Sequence, residues 1–514
     1  MTSRPTLEVS NGEKYQEKSG IERKGAKGQK AQRKWGNSFS FCVLASLRPC
    51  VRSGFVRSWV STTIAAVPSQ TISGALAGFL TDLRRGGVPE PTIEAASSML
   101  LDWLGSALAG TRTDPGARLL AYGDAEPEGG ASVIGGGGAR SAETAAFVNG
   151  ALSHIVEMDD VDRGSVLHPG AVVIPAALAL AELRSRSGRE FLSAIVAGYE
   201  VAIRIGEAVG KKHYNFFHNT STCGVFGAAA AASWLLDLHE EPIVWALGNA
   251  GTQASGLWEF NAEGAMSKHL HAGRAASNGV LAALLAERGF TGPSRILEGE
   301  RGFFRATAPD ACPERVLAGL GAAKLKIHGV SLKPHASCRH THAAIGCALE
   351  LRSRIGTEPI DEVEVDTYGA TLSLCDRPRP STPYEAKFSL QFCVASALLR
   401  GDAGLGAFDE DSIRDSRVRE LTSKVRARVE PGIEARYPGE WPVKVRVRLT
   451  NGETIEAETA HPKGDPELPL SLAEIESKFE ALAAYGGREG AAAPLLDWVR
   501  SISKLDRVSL PRGL

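Results

Sequence analysis

Between residues 73 and 326 apolar side chains recur at steps of three and four, and almost nothing alternates with period two. That spacing lines one face of an α-helix, whereas a half-buried strand needs every second residue. In residues 93–108, Ile93, Ala96, Leu100, Trp103 and Ala107 form such a stripe, widened by Leu104 and Leu108. Further helices are expected over residues 141–154, 175–184, 188–209, 222–236, 242–254 and 271–287, after which Gly289, Gly292 and Pro293 break the pattern. The small residues at 224–232 read as a helix packed tightly against neighbours.

After Lys326 the period changes. Residues 362–366 alternate, and residues 443–449 alternate cleanly before Asn451-Gly452, a type I′ turn signal leading into a second strand at 454–457. Helices are expected again at 341–352, 389–399, 472–484 and 493–501. The fold class that follows is mainly α with an α+β insert. A large all-helical domain would occupy residues 71–326 and a smaller mixed lid domain residues 327–458, with helices in 459–514 returning to the first domain. Residues 1–70 differ: Lys and Arg dominate from Arg23 to Arg57, and no acid lies between Glu22 and Asp82. They are expected to be a basic extension or a targeting segment.

At 514 residues the chain is too long for one ordinary core. A hydrophobic content of 43% with 23% charge is that of a soluble globular protein. A net charge of -1 gives no electrostatic reason to expect nucleic acid. The eight cysteines form no CxxC pair, which fits a reducing compartment and argues against a zinc ribbon or a disulfide framework. No apolar stretch reaches the roughly 18 residues of a membrane span. A cytoplasmic location is expected, or a mitochondrial one if the source is eukaryotic.

Four segments carry chemistry-bearing residues. Residues 157–175 hold Glu157, Asp159 and Asp160, then His168-Pro169-Gly170 and an apolar run. Acids beside a histidine at a turn suit proton transfer; they equally suit a solvated loop capping a helix that begins near Pro175. His218 precedes an Ala-rich helix that Thr220 or Thr222 could cap. Lys268 and His271, three apart, would share a helical face, turned either to solvent or into a pocket where a cation binds carboxylate. Residues 333–342 (KPHASCRHTH) gather Lys333, His335, Cys338, Arg339, His340 and His342. That is not a standard zinc spacing, so polyanion binding by Lys333, Arg339 and a histidine is the better reading. The four glycines at 135–138 lack the Gly-Lys-Ser/Thr ending of a phosphate loop and read as a turn.

Taken in order, DDVDRGSVLHPGAVVIPAALALAE, SKHLHAGRAASNGVLAALLAERGFTGPSRILEG, KPHASCRHTH and AKFSLQFCVASALLRG resemble blocks of the MmgE/PrpD family. Its known members include 2-methylcitrate dehydratase, cis-aconitate decarboxylase and iminodisuccinate epimerase. The resemblance implies a homodimer, a helical domain with a smaller lid, and a cofactor-free, metal-free site between them for a di- or tricarboxylate. It places the family's acidic motif on Glu157, Asp159 and Asp160, its histidines on His168 and His218, and its lysines on Lys268 and Lys333, with His342 following. Glu157 stands where the motif usually has aspartate, and Phe392 where decarboxylase-type members carry tyrosine. Asp162 and Arg163 also replace other residues.

The expected reaction is dehydration of a 2-methylcitrate-like tricarboxylate, as in propionate metabolism. His168 and His218 would exchange the protons, and Asp160 or Glu157 would orient one of them. Lys268, Lys333 and Arg339 would stabilise the enediolate-like anion, with His271 and His342 in the binding site. A decarboxylase or an epimerase shares the carboxylate-adjacent chemistry. From other classes, a metal-dependent hydrolase or a catalytically silent carboxylate-binding paralogue is the competing expectation.

Overall fold

Helix-forming stripes become core wherever they face one another. In the computed structural model, which describes residues 71–511, the 93–108 stripe lies on the helix Glu90–Gly110, with Ile93, Leu100, Trp103 and Leu104 buried. The expected basic extension at 1–70 lies outside the described residues. Around the first helices pack Ala142–Ser153, Gly170–Leu183, Gly188–Ala208, Gly224–Leu235 and Ser267–Glu287. Ser141 caps the first of these through the Thr144 N–H, and Ser187 with Glu190 makes a reciprocal capping box on the third. Gly224–Leu235 is buried on every side, so its all-round apolar character marks an interior helix.

Small residues set the distances between these helices. A methyl group at Gly273 would sit 2.4 Å from the Phe147 carbonyl, and one at Gly279 would sit 2.3 Å from the Ala228 methyl. The Ser267–Glu287 helix therefore lies backbone to backbone against both Ala142–Ser153 and Gly224–Leu235. This close packing carries Lys268 towards the end of the helix that precedes the acidic loop.

The second, smaller core is built on a four-stranded sheet in the order Val425–Val429, Ile360–Thr367, Val443–Leu449, Thr454–Thr459. The first pair is parallel and the others antiparallel. Alternate residues Val443, Val445, Val447 and Leu449 are buried against the helix His342–Ile355, in the same core as the helix Leu390–Arg400. Leu472–Tyr485 and Glu489–Ser501 place Ile475, Phe479 and Leu495 in the first core, while Leu482 joins the second. The expected architecture, mainly α with a small mixed sheet, is the one observed. Among the described residues no helix is long and apolar enough to cross a membrane.

Three local expectations are corrected. The helix expected to begin near Pro175 starts at Gly170, because the Asp160 side-chain Oδ1 accepts the Gly170 N–H (3.0 Å) from outside the helix and caps it. Neither Thr220 nor Thr222 caps the Gly224–Leu235 helix. Thr220 Oγ1 accepts the His168 backbone N–H (3.1 Å), and Thr222 Oγ1 pairs with His213 Nε2 (2.8 Å). At the hairpin only Gly452 has positive φ (85°), and the Gly452 N–H bonds the Leu449 carbonyl. A type I′ turn needs positive φ at both central residues, so this is a three-residue loop with its left-handed position on glycine.

Candidate active site

The acidic loop is strained where it turns. Glu157 (φ 60°) and Val166 (φ 51°) are two of the four non-glycine residues with positive φ among those described. Such a conformation costs on the order of 1 kcal/mol or more, and a β-branched residue there needs strong support from its surroundings. Support comes from the short antiparallel pairing of Val161–Asp162 with Val330–Ser331, which also delivers Lys333 to the loop. The Asp162 carboxylate accepts the Ser165 N–H (2.8 Å) and O–H (2.6 Å) within the turn.

Two lysines meet on one buried carboxylate. Lys268, in the first turn of its helix, pairs with Glu157 Oε1, while Lys333 Nζ lies 3.4 Å from Glu157 Oε2 and 3.6 Å from Asp159 Oδ1. Lys333 is fully buried. Burial alone would raise the Glu157 carboxyl, but Lys268 and Lys333 outweigh it and hold it well below the usual range. Burial likewise works against the charge on Lys333, yet Asp159 and Glu157 raise its pKa on balance. The two shifts describe the same charged cluster from its two sides.

Beside it stands a group of imidazoles. Asp159 Oδ2 is 2.6 Å from His154 Nδ1 and 3.2 Å from His168 Nδ1. His168 Nδ1 donates to the Asp160 carbonyl (2.6 Å), which fixes the neutral tautomer and leaves Nε2 as the exchangeable position. His154 stacks on His218 at 5.5 Å, and His218 Nδ1 is 3.4 Å from His271 Nδ1. Trp258 and Phe260 pack on the His218 ring, and Phe388 lies under Lys268 Nζ at 5.2 Å. Burial pushes His168 down to about 4, against the pull of Asp159. It also lowers His218, with His154 and Lys268 adding to the effect. Burial brings Lys387, whose Nζ donates to the Val156 carbonyl (3.0 Å), down to about 8.

The structure therefore gathers Glu157, His168, His218, His271, Lys268 and Lys333. It does not gather the rest. The Asp160 carboxyl group faces away from the imidazoles, accepting the Tyr199 O–H (2.6 Å) and the Gly170 N–H. Glu157 serves the lysines, so Asp159 is the acid that orients histidine. Arg339 is buried against Asp465, with the Lys463 carbonyl at 3.1 Å and His342 Nδ1 at 3.0 Å. Both of its terminal NH2 groups are engaged by the protein, Nε alone having no partner among the described residues, and His342 is held between it and the Ser337 carbonyl (3.2 Å). His340 stacks on Trp441 at 4.4 Å and bonds Tyr368, apart from His335 and His342, whose rings meet at 5.1 Å. Phe392 packs its ring on Phe408 in the second core, so the absent hydroxyl is an interior change there.

Sequence reading missed His154 and Lys387. His154 had a signal, lying three residues before Glu157 and five before Asp159 at the end of a helix. Among the described residues two groups bring three metal-type ligand atoms within 4.8 Å of one another, His154/Asp159/His168 and His461/Asp465/Glu467. Each already faces a protein cation. Lys333 is beside the first, and Arg163 sits 3.2 Å from His461 Nδ1, Asp465 Oδ2 and Glu467 Oε2 of the second. An added metal ion would meet that charge.

Comparison with known sequences matches the MmgE/PrpD N-terminal domain to residues 74–315 and the MmgE/PrpD C-terminal domain to residues 335–500. The chain belongs to the MmgE/PrpD family. Among curated relatives, a cis-aconitate decarboxylase-like protein of Aspergillus oryzae is 29% identical over 452 residues, covering 82% of this chain and 92% of that protein. The cis-aconitate decarboxylase of Aspergillus terreus is 27% identical over 467 residues (85% and 94%). That of Homo sapiens is 29% identical over 456 residues (86% and 94%). Lyase chemistry within the MmgE/PrpD family is thereby supported. The expected 2-methylcitrate dehydration and its place in propionate metabolism are not, because these relatives carry decarboxylase names.

Proposed function

We propose that this MmgE/PrpD chain is a carboxy-lyase that decarboxylates cis-aconitate or a closely similar unsaturated tricarboxylate. The observation that carries this reading is the meeting of Lys268 and Lys333 on the single buried carboxylate of Glu157, with His168 and His218 alongside. The names of its relatives favour decarboxylation over loss of water.

In cis-aconitate the carboxylate on the saturated carbon is β,γ to the double bond. When it leaves as carbon dioxide, the released carbon–carbon pair forms a new terminal alkene. The former alkene pair moves to the carbon beside a remaining carboxylate and gives an enediolate. Lys268 and Lys333 supply the cations that charge needs. One proton, delivered to that carbon, completes the conversion of a tricarboxylate into carbon dioxide and a dicarboxylate. His168 is the proposed donor: Nδ1–H is held by the Asp160 carbonyl, Nε2 carries the transferable proton, and Asp159 stabilises the imidazolium. Burial holds His168 near 4; a bound trianion raises it and arms the acid. His218 is the second candidate for the proton relay. The homodimer implied by the family resemblance belongs to the same proposal, and light scattering on the purified chain tests it.

The direct experiment incubates purified protein with cis-aconitate and, separately, with 2-methylcitrate. Carbon dioxide together with new terminal-alkene protons by NMR supports the proposal. Conjugated-alkene absorbance from 2-methylcitrate, with no carbon dioxide from cis-aconitate, overturns it.

A further inference from the structure

Three lysines from distant parts of the chain end on three consecutive carbonyls of the acidic loop. Lys387 Nζ donates to the carbonyl of Val156 (3.0 Å), Lys333 Nζ to that of Glu157 (3.3 Å) and Lys478 Nζ to that of Met158 (2.6 Å). Lys333 and Lys387 also lie among the carboxylates of the site. Lys478 is different. It comes from the helix Leu472–Tyr485, and its charge is matched by Asp102 on the helix Glu90–Gly110. The pair is buried, with side-chain exposures of 7% and 1%. Asp102 and Lys478 belong to none of the sequence motifs that mark the site.

We propose that Lys478, held by Asp102, is a positioning residue that fixes the Val156–Met158 backbone and thereby aims Glu157 and Asp159. Glu157 sits in the left-handed region, a conformation that persists only when its surroundings over-determine it. With carbonyls pinned on both sides of it, Glu157 turns to Lys268 and Lys333, and Asp159 turns to His154 and His168. Release of the Met158 carbonyl lets this segment relax. The aim of both carboxylates is then lost, although neither is chemically altered.

The catalytic part of this inference rests on the proposed decarboxylase reading, and the test separates the two. The informative variant is the double substitution Lys478→Met with Asp102→Asn. It removes both charges together and leaves no unpaired buried ion; Lys478→Arg keeps charge and donors. Two quantities are measured on full-length protein: steady-state kinetics with cis-aconitate, and amide hydrogen exchange of peptides covering residues 154–162. Expected for the double variant is a kcat loss of about 100-fold with KM changed less than threefold, since an ångström of misplacement costs about that much. Lys478→Arg recovers at least a tenth of wild-type kcat. Exchange rises in the 154–162 peptides and stays unchanged elsewhere. Wild-type exchange in those peptides, or a kcat within threefold of wild type, overturns the proposal. If wild-type protein does not decarboxylate cis-aconitate, the decarboxylase reading fails by itself, and the exchange measurement still decides the clamp.

Discussion

Replacing Asp160 by asparagine tests whether this carboxyl serves the fold or the chemistry. Burial raises Asp160 from its ordinary 3.8 to about 8, with Asp102 and Asp159 adding to it against the Tyr199 hydrogen bond. In the native protein at neutral pH it therefore keeps its proton. Below about pH 4 the folded and unfolded chains are both protonated here, and the stabilisation from native proton binding is fully present. As pH rises towards 8 the unfolded chain releases the proton first, so this contribution falls steadily and is lost above 8. A carboxyl moved that far corresponds to on the order of 5 kcal/mol of linkage. Asparagine preserves the acceptor for the Gly170 N–H and offers Tyr199 a hydrogen-bond partner, yet has no proton to lose. The variant's stability relative to wild type is expected to rise by several kcal/mol between pH 5 and pH 9. Urea unfolding at pH 5, 7 and 9 reads this directly, with activity retained within about tenfold of wild type because the Asp160 carboxyl faces away from the histidines. A stability difference that stays flat across that pH range refutes the reasoning.

Other outcomes follow from the same geometry. His168→Ala or Lys268→Ala is expected to lower turnover by about two to four powers of ten while circular dichroism stays native; near-wild-type turnover in either removes that residue from the chemistry. Lys333→Met leaves Glu157 and Asp159 short of a buried counter-charge and is expected to cost about 3 to 5 kcal/mol of stability. Adding Glu157→Gln should recover part of it, and strict additivity of the two changes in urea melts argues against the pairing. Gly273→Ala places a methyl 2.4 Å from the Phe147 carbonyl and is expected to cost about 1 to 3 kcal/mol, read as a lowered Tm. If a bound trianion arms His168, the apparent pKa of the alkaline limb, where the donor loses its proton, lies higher in kcat than in kcat/KM. Equal values speak against arming by the substrate.

How far the sequence could be read depends on the range of each interaction. The stripe at 93–108 and the alternation at 443–449 report burial of one face, a local property, and the helices and strands stand where that periodicity puts them. Helix starts were harder when the cap came from elsewhere, as when Asp160 caps the helix beginning at Gly170. The turn at Asn451-Gly452 was legible as a turn, while its type depended on the strand register around it. At the site, the acidic run, Lys268 and Lys333 were visible as residue types. Their partners were not, because Glu157 meets Lys268 at a sequence separation of 111 and Lys333 at one of 176. Arg339 and His342 looked like anion ligands by composition, but Asp465 had already claimed the first, and Arg339 with the Ser337 carbonyl the second. Asp102 and Lys478 sit in ordinary helical sequence, and only the packing of those two helices reveals them.

Carbon dioxide released from cis-aconitate by the purified full-length chain is the measurement closest to the central claim. Expected is one equivalent of carbon dioxide per substrate consumed, with the dicarboxylate product carrying a terminal alkene, and a loss of at least two powers of ten in His168→Ala. Consumption of 2-methylcitrate with new alkene absorbance, while cis-aconitate yields no carbon dioxide, contradicts it.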